Sequence, residues 1–182
     1  LARRYPQLPE DVVRGVGRVE SVLSGTGLVD GVTGAIVEQV AVQAPVQRQS
    51  EPSVVLFAAD PTRMDGFSPI VGTGGANLAL GDLRPGEVYL NRKAASELRV
   101  AAGDRVVLFA GGTRQAARVR DVVRFEGAGT ADAAMLVPLA AAQELFGHRG
   151  EIRAVLISNR GGPTAGAALS DACRLVWPCN HR

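Results

Sequence analysis

Short runs of apolar and β-branched residues, each closed by a glycine, proline or aspartate turn, recur through the second half of this chain. Such runs between turn signals are typical of strands. They occupy residues 87–90, 105–110, 114–124, 133–137 and 152–158. The Gly111-Gly112 pair that separates two of them is a hairpin signal. A series of short strands joined in this way favours a small barrel or a curled sheet.

The first half predicts one helix and two strands. Apolar residues recur at helical spacing over residues 12–23, which indicates an amphipathic helix. Residues 32–43 are rich in β-branched types and residues 53–59 form a continuous apolar run, so both are predicted strands. The polar residues 45–52 join them as a hairpin. Residues 62–86 are irregular and rich in glycine, which indicates a linker with short turns.

Three helices are predicted after this linker. The side chain of Asn91 can accept a backbone N–H group at the start of a helix over residues 92–98. Pro138 suits the first position of a second helix, which Gly147 ends. A final helix is expected over residues 164–176.

The order of these elements predicts an α+β protein. Residues 1–62 and 151–182 are expected to form one α/β layer. Residues 63–150 are expected to form a β-rich, small barrel-like subdomain inserted into that layer.

Charge and hydropathy exclude several classes of function. The formal net charge is only +2, and a nucleic-acid binder is expected to carry a dense basic stripe with interleaved aromatic residues. Residues 84–124 hold nine basic residues against four acidic ones, which we interpret as a solvated face. No apolar run is long enough to span a bilayer, and no signal peptide is recognisable. A start at Leu1 instead of methionine favours excision from a longer protein.

Candidate chemistry is sparse. Residues 72–77 (GTGGAN) lack the lysine and hydroxyl of a phosphate-binding P-loop, so a flexible loop is expected there. His148 follows a helix-ending glycine and fits a helix C-terminal cation better than a general base. The remaining candidates are carboxylates without a catalytic spacing. Turn roles are expected for Asp60, Asp82 and Asp104, which lie beside glycine or proline.

The two cysteines and the terminal aromatic residues leave alternatives open. Cys173 and Cys179 can form a disulfide in an oxidising compartment or stay unpaired. A zinc site needs four ligands, and only His181 lies near them. Tyr5 and Trp177 can pack in the fold or lie near lipid headgroups. We therefore predict no catalytic residue, no metal site and no cofactor, and name no binding residues.

An ordered set of motifs resembles the periplasmic core domain of FtsX-like (MacB-type) ABC transporter permeases. The resemblance covers about residues 53–162. Its motifs are EVYLN at 87–91, AASEL at 94–98, VAAGDRV at 100–106, RVRDVV at 118–123, MLVPL at 135–139, AQELFG at 142–147 and IRAVLI at 152–157.

The resemblance implies a porter-like layer with the β-rich insert, placed outside the membrane between transmembrane helices of the same permease. It implies a cytoplasmic ABC ATPase that the domain does not contact directly, and a permease dimer. The domain would relay ATP-driven motion, or bind a protein, lipoprotein or lipid substrate. Nucleic acid is not an expected partner.

Two other classes of protein remain as alternatives. A stand-alone adaptor module for a protein or ligand also uses short strands, helices and Gly-Asp turns. An enzyme, for example a hydrolase using an aspartate or His148, would need a perturbed acid beside a nucleophile in a pocket.

Overall fold

The computed structural model describes residues 29–125 and 131–159, and within them the chain forms nine strands and two α-helices. The strands are β1 (Val29–Ala44), β2 (Gln49–Ala59), β3 (Ile70–Gly72), β4 (Asn77–Leu78), β5 (Glu87–Asn91), β6 (Arg105–Ala110), β7 (Thr113–Arg124), β8 (Ala134–Pro138) and β9 (Ala154–Asn159). The helices are α1 (Arg92–Leu98) and α2 (Leu139–Phe146). The helices predicted over residues 12–23 and 164–176 lie outside the described residues.

Six of the strands close into a barrel, which confirms the prediction of a small barrel or curled sheet. Their order around the barrel is β7-β5-β8-β2-β1-β6, and β6 pairs again with β7. Two of the neighbouring pairs, β2–β8 and β5–β7, are parallel. Parallel neighbours cannot be joined by a tight hairpin. Other elements therefore lie between the paired strands in the sequence: α1 and β6 between β5 and β7, and residues 60–133 between β2 and β8.

The inward-facing side chains of the barrel form one continuous core. The strands contribute Val54, Leu56, Leu90, Val106 and Met135, each essentially inaccessible to water. Leu98 of α1 and Leu145 of α2 belong to the same core. Each helix contacts strands on different sides of the barrel, as expected for an element that covers an open end.

Strand β7 follows the alternation predicted from its sequence. Ala117, Val119 and Val123 are buried, while Arg118, Arg120 and Arg124 are exposed. The pairing with β5 shifts by one residue between Val119 and Asp121. This β-bulge bends the strand and re-aims the side chains beyond it. As a result Val119 lies in the barrel core, but Val123 lies in a second cluster outside it.

The second cluster gives the glycine-rich segment 62–86 a place against the barrel. The segment contains short turns, as predicted. It also contains the β3–β4 hairpin, which the sequence did not indicate. Ile70, Leu80 and Leu83 of this segment pack with Tyr89 and Leu136 on the outer side of the barrel wall. The segment is therefore packed structure, and the prediction of a linker was wrong in that respect.

Strand β1 extends beyond the barrel, where β9 pairs with its first half. The register runs from Val29 opposite Asn159 to Ala35 opposite Ala154. Arg153, just before β9, forms an ion pair with Glu38 of β1, and its guanidinium lies 6.0 Å from the ring centre of Phe146 in α2. The extension is thus tied to the barrel by charge and packing as well as by backbone pairing.

The strand pairing crosses the domain boundary predicted at residue 62. Strands β1 and β2 lie before residue 62, yet they pair with β6 and β8, which lie within residues 63–150. The two segments share one sheet. The boundaries at 62 and 150, and the porter-like layer, stay predictions.

Asn91 joins α1 to the barrel wall through three hydrogen bonds. Its Oδ1 accepts the N–H of Ala94 at 2.8 Å, the predicted helix cap, and the N–H of Ala134 at 3.1 Å. Its Nδ2 donates to the carbonyl of Asp132 at 2.7 Å. The residue is 7% exposed, so water cannot replace these partners.

We predict that Asn91→Ala lowers the free energy of unfolding by about 2–4 kcal/mol, because it removes a helix cap and leaves a buried N–H without a partner. Urea denaturation followed by circular dichroism measures the loss. Asn77→Ala is the matched control at an exposed position and should cost less than about 0.5 kcal/mol. Equal losses in the two variants would contradict the role given to Asn91.

Candidate functional site

The aspartates that the sequence assigned to turns all serve turns. Asp60 accepts the N–H and hydroxyl of Thr62, at 2.9 and 2.7 Å. Asp82 accepts the N–H of Ala79 at 2.9 Å. Asp104 accepts the N–H of Ala101 at 2.9 Å and the side-chain amide of Gln47 at 3.1 Å, which ties the tip of the β1–β2 hairpin to the Gly-Asp turn. These carboxylates are structural.

His148 lies where the sequence placed it, directly after the glycine that ends α2. Its backbone N–H donates to the carbonyl of Gln143 at 2.8 Å, which closes the helix. Its Nδ1 lies 3.3 Å from the carboxylate of Glu151. These contacts give it a local partner at a helix end. Tyr5, Cys173, Trp177, Cys179 and His181 lie outside the described residues.

A shallow groove runs between α1 and the β3–β4 hairpin, across the edge of β7. One part has a volume of about 450 Å³ and a smaller part about 110 Å³. The two parts share Thr73, Arg92 and Val122. We call the whole the arginine groove. Its polar and charged lining residues are Thr73, Arg92, Ser96, Arg99, Asp121 and Arg124.

The three arginines reach the groove from different elements. Arg92 and Arg99 lie at the start and just past the end of α1, and Arg124 ends β7. Arg92 lines both parts, with Arg99 in the larger part and Arg124 in the smaller. Within the described residues, none of the three guanidinium groups forms an ion pair or a side-chain hydrogen bond.

Arg99 occupies a backbone conformation that is unusual for its type. Its φ is 54° and its ψ is 42°, the left-handed region, at the position after a helix where glycine is usual. A residue with a Cβ atom pays about 1 kcal/mol or more to adopt it. The left-handed turn ends α1 and places an arginine side chain at the groove.

Asp121 is the acidic residue of the groove and is held by its wall. Its Oδ1 accepts the hydroxyl of Thr73 at 3.1 Å and the N–H of Val122 at 2.7 Å. A Cβ atom on Gly72 would lie 2.6 Å from its Oδ2, so a larger residue there would displace this carboxylate. The carboxylate therefore fixes the hairpin against β7.

Tyr89 secures the hairpin segment from the other side. Its side chain is buried in the second cluster, and its hydroxyl donates to the carbonyl of Ala79 at 3.2 Å, just beyond β4. Burial, and then the nearby carboxylate of Asp82, raise the pKa of the phenol above its usual value, because both disfavour the charged form.

The chemistry of the groove suits binding. Guanidinium groups and the hydroxyl of Ser96 are hydrogen-bond donors, and Asp121 is already engaged by Thr73 and Val122. The lining contains no histidine, cysteine or lysine to act as base or nucleophile. Within the described ranges no group of three or more histidine, cysteine, aspartate or glutamate side chains is placed to hold a metal ion.

The sequence analysis did not predict the groove, although it noted the excess of basic residues from which the groove is built. The excess of basic residues over 84–124, interpreted as a solvated face, includes all three arginines of the groove. The groove that these arginines line also needs the β3–β4 hairpin, which forms the wall opposite α1. Residues 72–77 supply the turn of that hairpin, with the N–H of Gly75 bonded to the carbonyl of Gly72 at 2.9 Å.

A second cavity of about 360 Å³ lies at the start of β1 and is lined by Asp30, Thr62, Arg63 and Asp65. The backbones approach closely beside it: a Cβ atom on Gly31 would lie 2.5 Å from the carbonyl oxygen of Asp65.

In the part of the chain that the structure describes, no helix has the length and hydropathy to cross a bilayer.

Comparisons with known proteins find the same fold in two extracytoplasmic domains. The extracellular domain of the noncanonic ABC-type transporter YknZ from Gram-positive bacteria superposes with a TM-score of 0.56 and 17% identity, over 94% of this chain and 83% of that one. The periplasmic region of MacB from Actinobacillus actinomycetemcomitans gives 0.56 and 15%, over 95% of this chain and 76% of that one. No protein-family model and no curated protein matches the sequence. The resemblance to MacB-type domains is confirmed at the level of the fold.

The buried phenol of Tyr89 predicts a pH dependence. Because its pKa is raised in the folded state, its contribution to stability is complete below the unfolded value of 10.0 and is lost as pH rises through the folded value. Urea midpoints should therefore fall more steeply above about pH 10 in the native chain than in Tyr89→Phe. Ultraviolet titration of the two tyrosines should show one late phenol, absent from Tyr89→Phe. A native titration in which both phenols deprotonate together at about pH 10 would contradict the prediction.

Proposed function

We propose that this chain is the extracytoplasmic domain of an FtsX-like ABC transporter permease, and that it relays ATP-driven motion to a partner or substrate outside the membrane. The observation that carries the proposal is the shared fold with the extracellular domain of YknZ and the periplasmic region of MacB. Its direct partners would be transmembrane helices of the same permease, in a permease dimer. The cytoplasmic ATPase would act through those helices.

The path of the chain supports this placement. Strand β1 begins opposite the end of β9, with Val29 paired to Asn159. The chain therefore enters and leaves the described body at adjacent points. A domain inserted between two membrane helices needs this arrangement, because both connections return to the same membrane surface.

The construction of β1 supports a relay. It is a single strand from Val29, beside the connections, to Ala44 at the hairpin, with register shifts after Val29 and Val40, and it joins β9, β2 and β6 along the way. A closely packed sheet of this kind transmits displacement instead of absorbing it. The ion pair between Arg153 and Glu38 couples β9 to the part of β1 inside the barrel.

Labelling of the full-length protein in intact cells tests the placement. The carrier for the label is Val46→Cys at the β1–β2 hairpin tip, where the native side chain is 82% exposed, with Cys173 and Cys179 replaced by serine. A maleimide that cannot cross membranes should label this thiol, and the protein should stay with the membrane fraction. Val54→Cys, at a fully buried valine of the same hairpin, is the matched control and should stay unlabelled until denaturation.

Two outcomes would contradict the placement. If Val46→Cys were labelled only after the cells are lysed, the domain would lie on the cytoplasmic side of the membrane. A full-length protein that is released without detergent would favour a stand-alone adaptor.

The relay role predicts that a fluorophore on Val46→Cys changes its emission when ATP is added to the purified transporter. Arg153→Gln should reduce that change at least about twofold, because it removes the ion pair that couples β9 to the part of β1 inside the barrel. Arg149→Gln is the control, since the side chain of Arg149 is 86% exposed and its ion pair, at 3.9 Å, is with Glu144 of α2. An unchanged response in Arg153→Gln would contradict this path, and no response in the native protein would contradict the relay.

A further inference from the structure

The arginine groove carries positive charge that the described fold leaves unused. Three arginines against one aspartate give its lining a formal excess of two positive charges. That aspartate is already bonded to Thr73 and Val122, and the guanidinium groups have no partner among the described residues. Unpaired arginines that line one concavity attract an anion more strongly than the same charges spread over a convex surface.

Two further observations separate the groove from an ordinary solvated face. The left-handed backbone at Arg99 stores strain at the place where its side chain reaches the groove, and such strain concentrates at functional sites. The floor is apolar, formed by Ala95, Val100 and Val122 between the charged rims. The groove, of about 450 Å³, is shallow and open to solvent, so a ligand would contact the apolar floor and the charged side chains along one side only.

We infer that the arginine groove binds a phosphate group. Guanidinium groups bind phosphate through paired N–H donors, and three of them along one groove exceed what a carboxylate with two oxygens can engage. The larger part of the groove would hold the organic portion of the ligand on its apolar floor. The phosphate would lie at Arg92, between Arg99 and Arg124.

The inferred binding differs in chemistry from a P-loop. Residues 72–77 contribute Gly72, Thr73 and Gly75 to the wall, but they lack the lysine that a P-loop directs at phosphate. The hydroxyl of Thr73 donates to Asp121. Affinity would therefore come from the arginines, so their substitution should abolish binding while the hairpin stays folded.

The inference goes beyond the proposed relay, because phosphate can bind here whether or not the domain moves. Two sources of the same chemistry are distinguishable: the headgroup of a phospholipid, and a soluble phosphate. Failure of phosphate binding would leave the labelling of Val46→Cys unchanged, and failure of that labelling would leave phosphate binding unchanged.

The test titrates the 182-residue chain with inorganic phosphate against chloride at equal ionic strength, followed by the NMR signals of arginine Nε–Hε groups. Phosphate should shift the signals of Arg92, Arg99 and Arg124. The triple variant R92Q/R99Q/R124Q should bind phosphate at least about tenfold more weakly. The control R48Q/R84Q/R114Q removes the same charge from exposed arginines outside the groove and should bind within about twofold of the native chain.

A second arm identifies the source with vesicles of phosphatidylcholine, with or without phosphatidylglycerol. Cosedimentation that needs phosphatidylglycerol and is lost only in the groove variant identifies a lipid headgroup. Phosphate binding without vesicle binding identifies a soluble ligand. If the triple variant does not unfold cooperatively in urea, R92Q alone replaces it, with an expected loss of about threefold or more. The inference is overturned if phosphate leaves the three arginine signals unshifted, or if control and groove variants weaken equally.

Discussion

The backbone hydrogen bonds of β1 to three different strands hold the described structure together. This strand pairs with β9 along its first half, with β2 along its second half, and with β6 near its end. Its residues Ile36, Val40 and Val42 point into the barrel core, while Val29 and Val32 pack with Ile152 outside it. Because one strand belongs to both regions, β1 connects them directly. The proposed relay depends on this continuity more than on any single side chain.

The arginine groove depends on a separate contact, between the glycine-rich segment and the outer wall of the barrel. Tyr89 and Asp121 fix the two ends of the β3–β4 hairpin, one by a buried phenol bonded to Ala79 and the other by a carboxylate bonded to Thr73. The hairpin then faces α1 across the width of the groove. The groove floor at Ala95 and Val100 also belongs to the barrel core, so a substitution at either residue would affect both the groove and the packing of the barrel.

Local signals predicted the strands, the caps and the turns well. The alternation in β7, the cap at Asn91 and the turn at Asp104 each rest on residues close in sequence, where period and side-chain chemistry decide the outcome. The packing of residues 62–86 and the groove were not predictable in this way. Ile70, Leu80 and Leu83 are isolated apolar residues among glycines, and only the outer face of the barrel gives them a partner. Likewise Arg92 and Arg124 meet across the groove through tertiary structure that no local period reveals.

The parallel pairing of β2 with β8 has a consequence for how the chain acquires its structure. Val55 of β2 pairs with Ala134 of β8. The residues between them must therefore be synthesised before the barrel can close. Until then the β2 edge of the β1–β2 hairpin is unpaired, and an unpaired strand edge is a site of association with other chains. Contacts between such distant residues also slow folding, because loop-closure entropy is lost before they form. We therefore expect the nascent hairpin to be a segment that a chaperone protects from association with other chains.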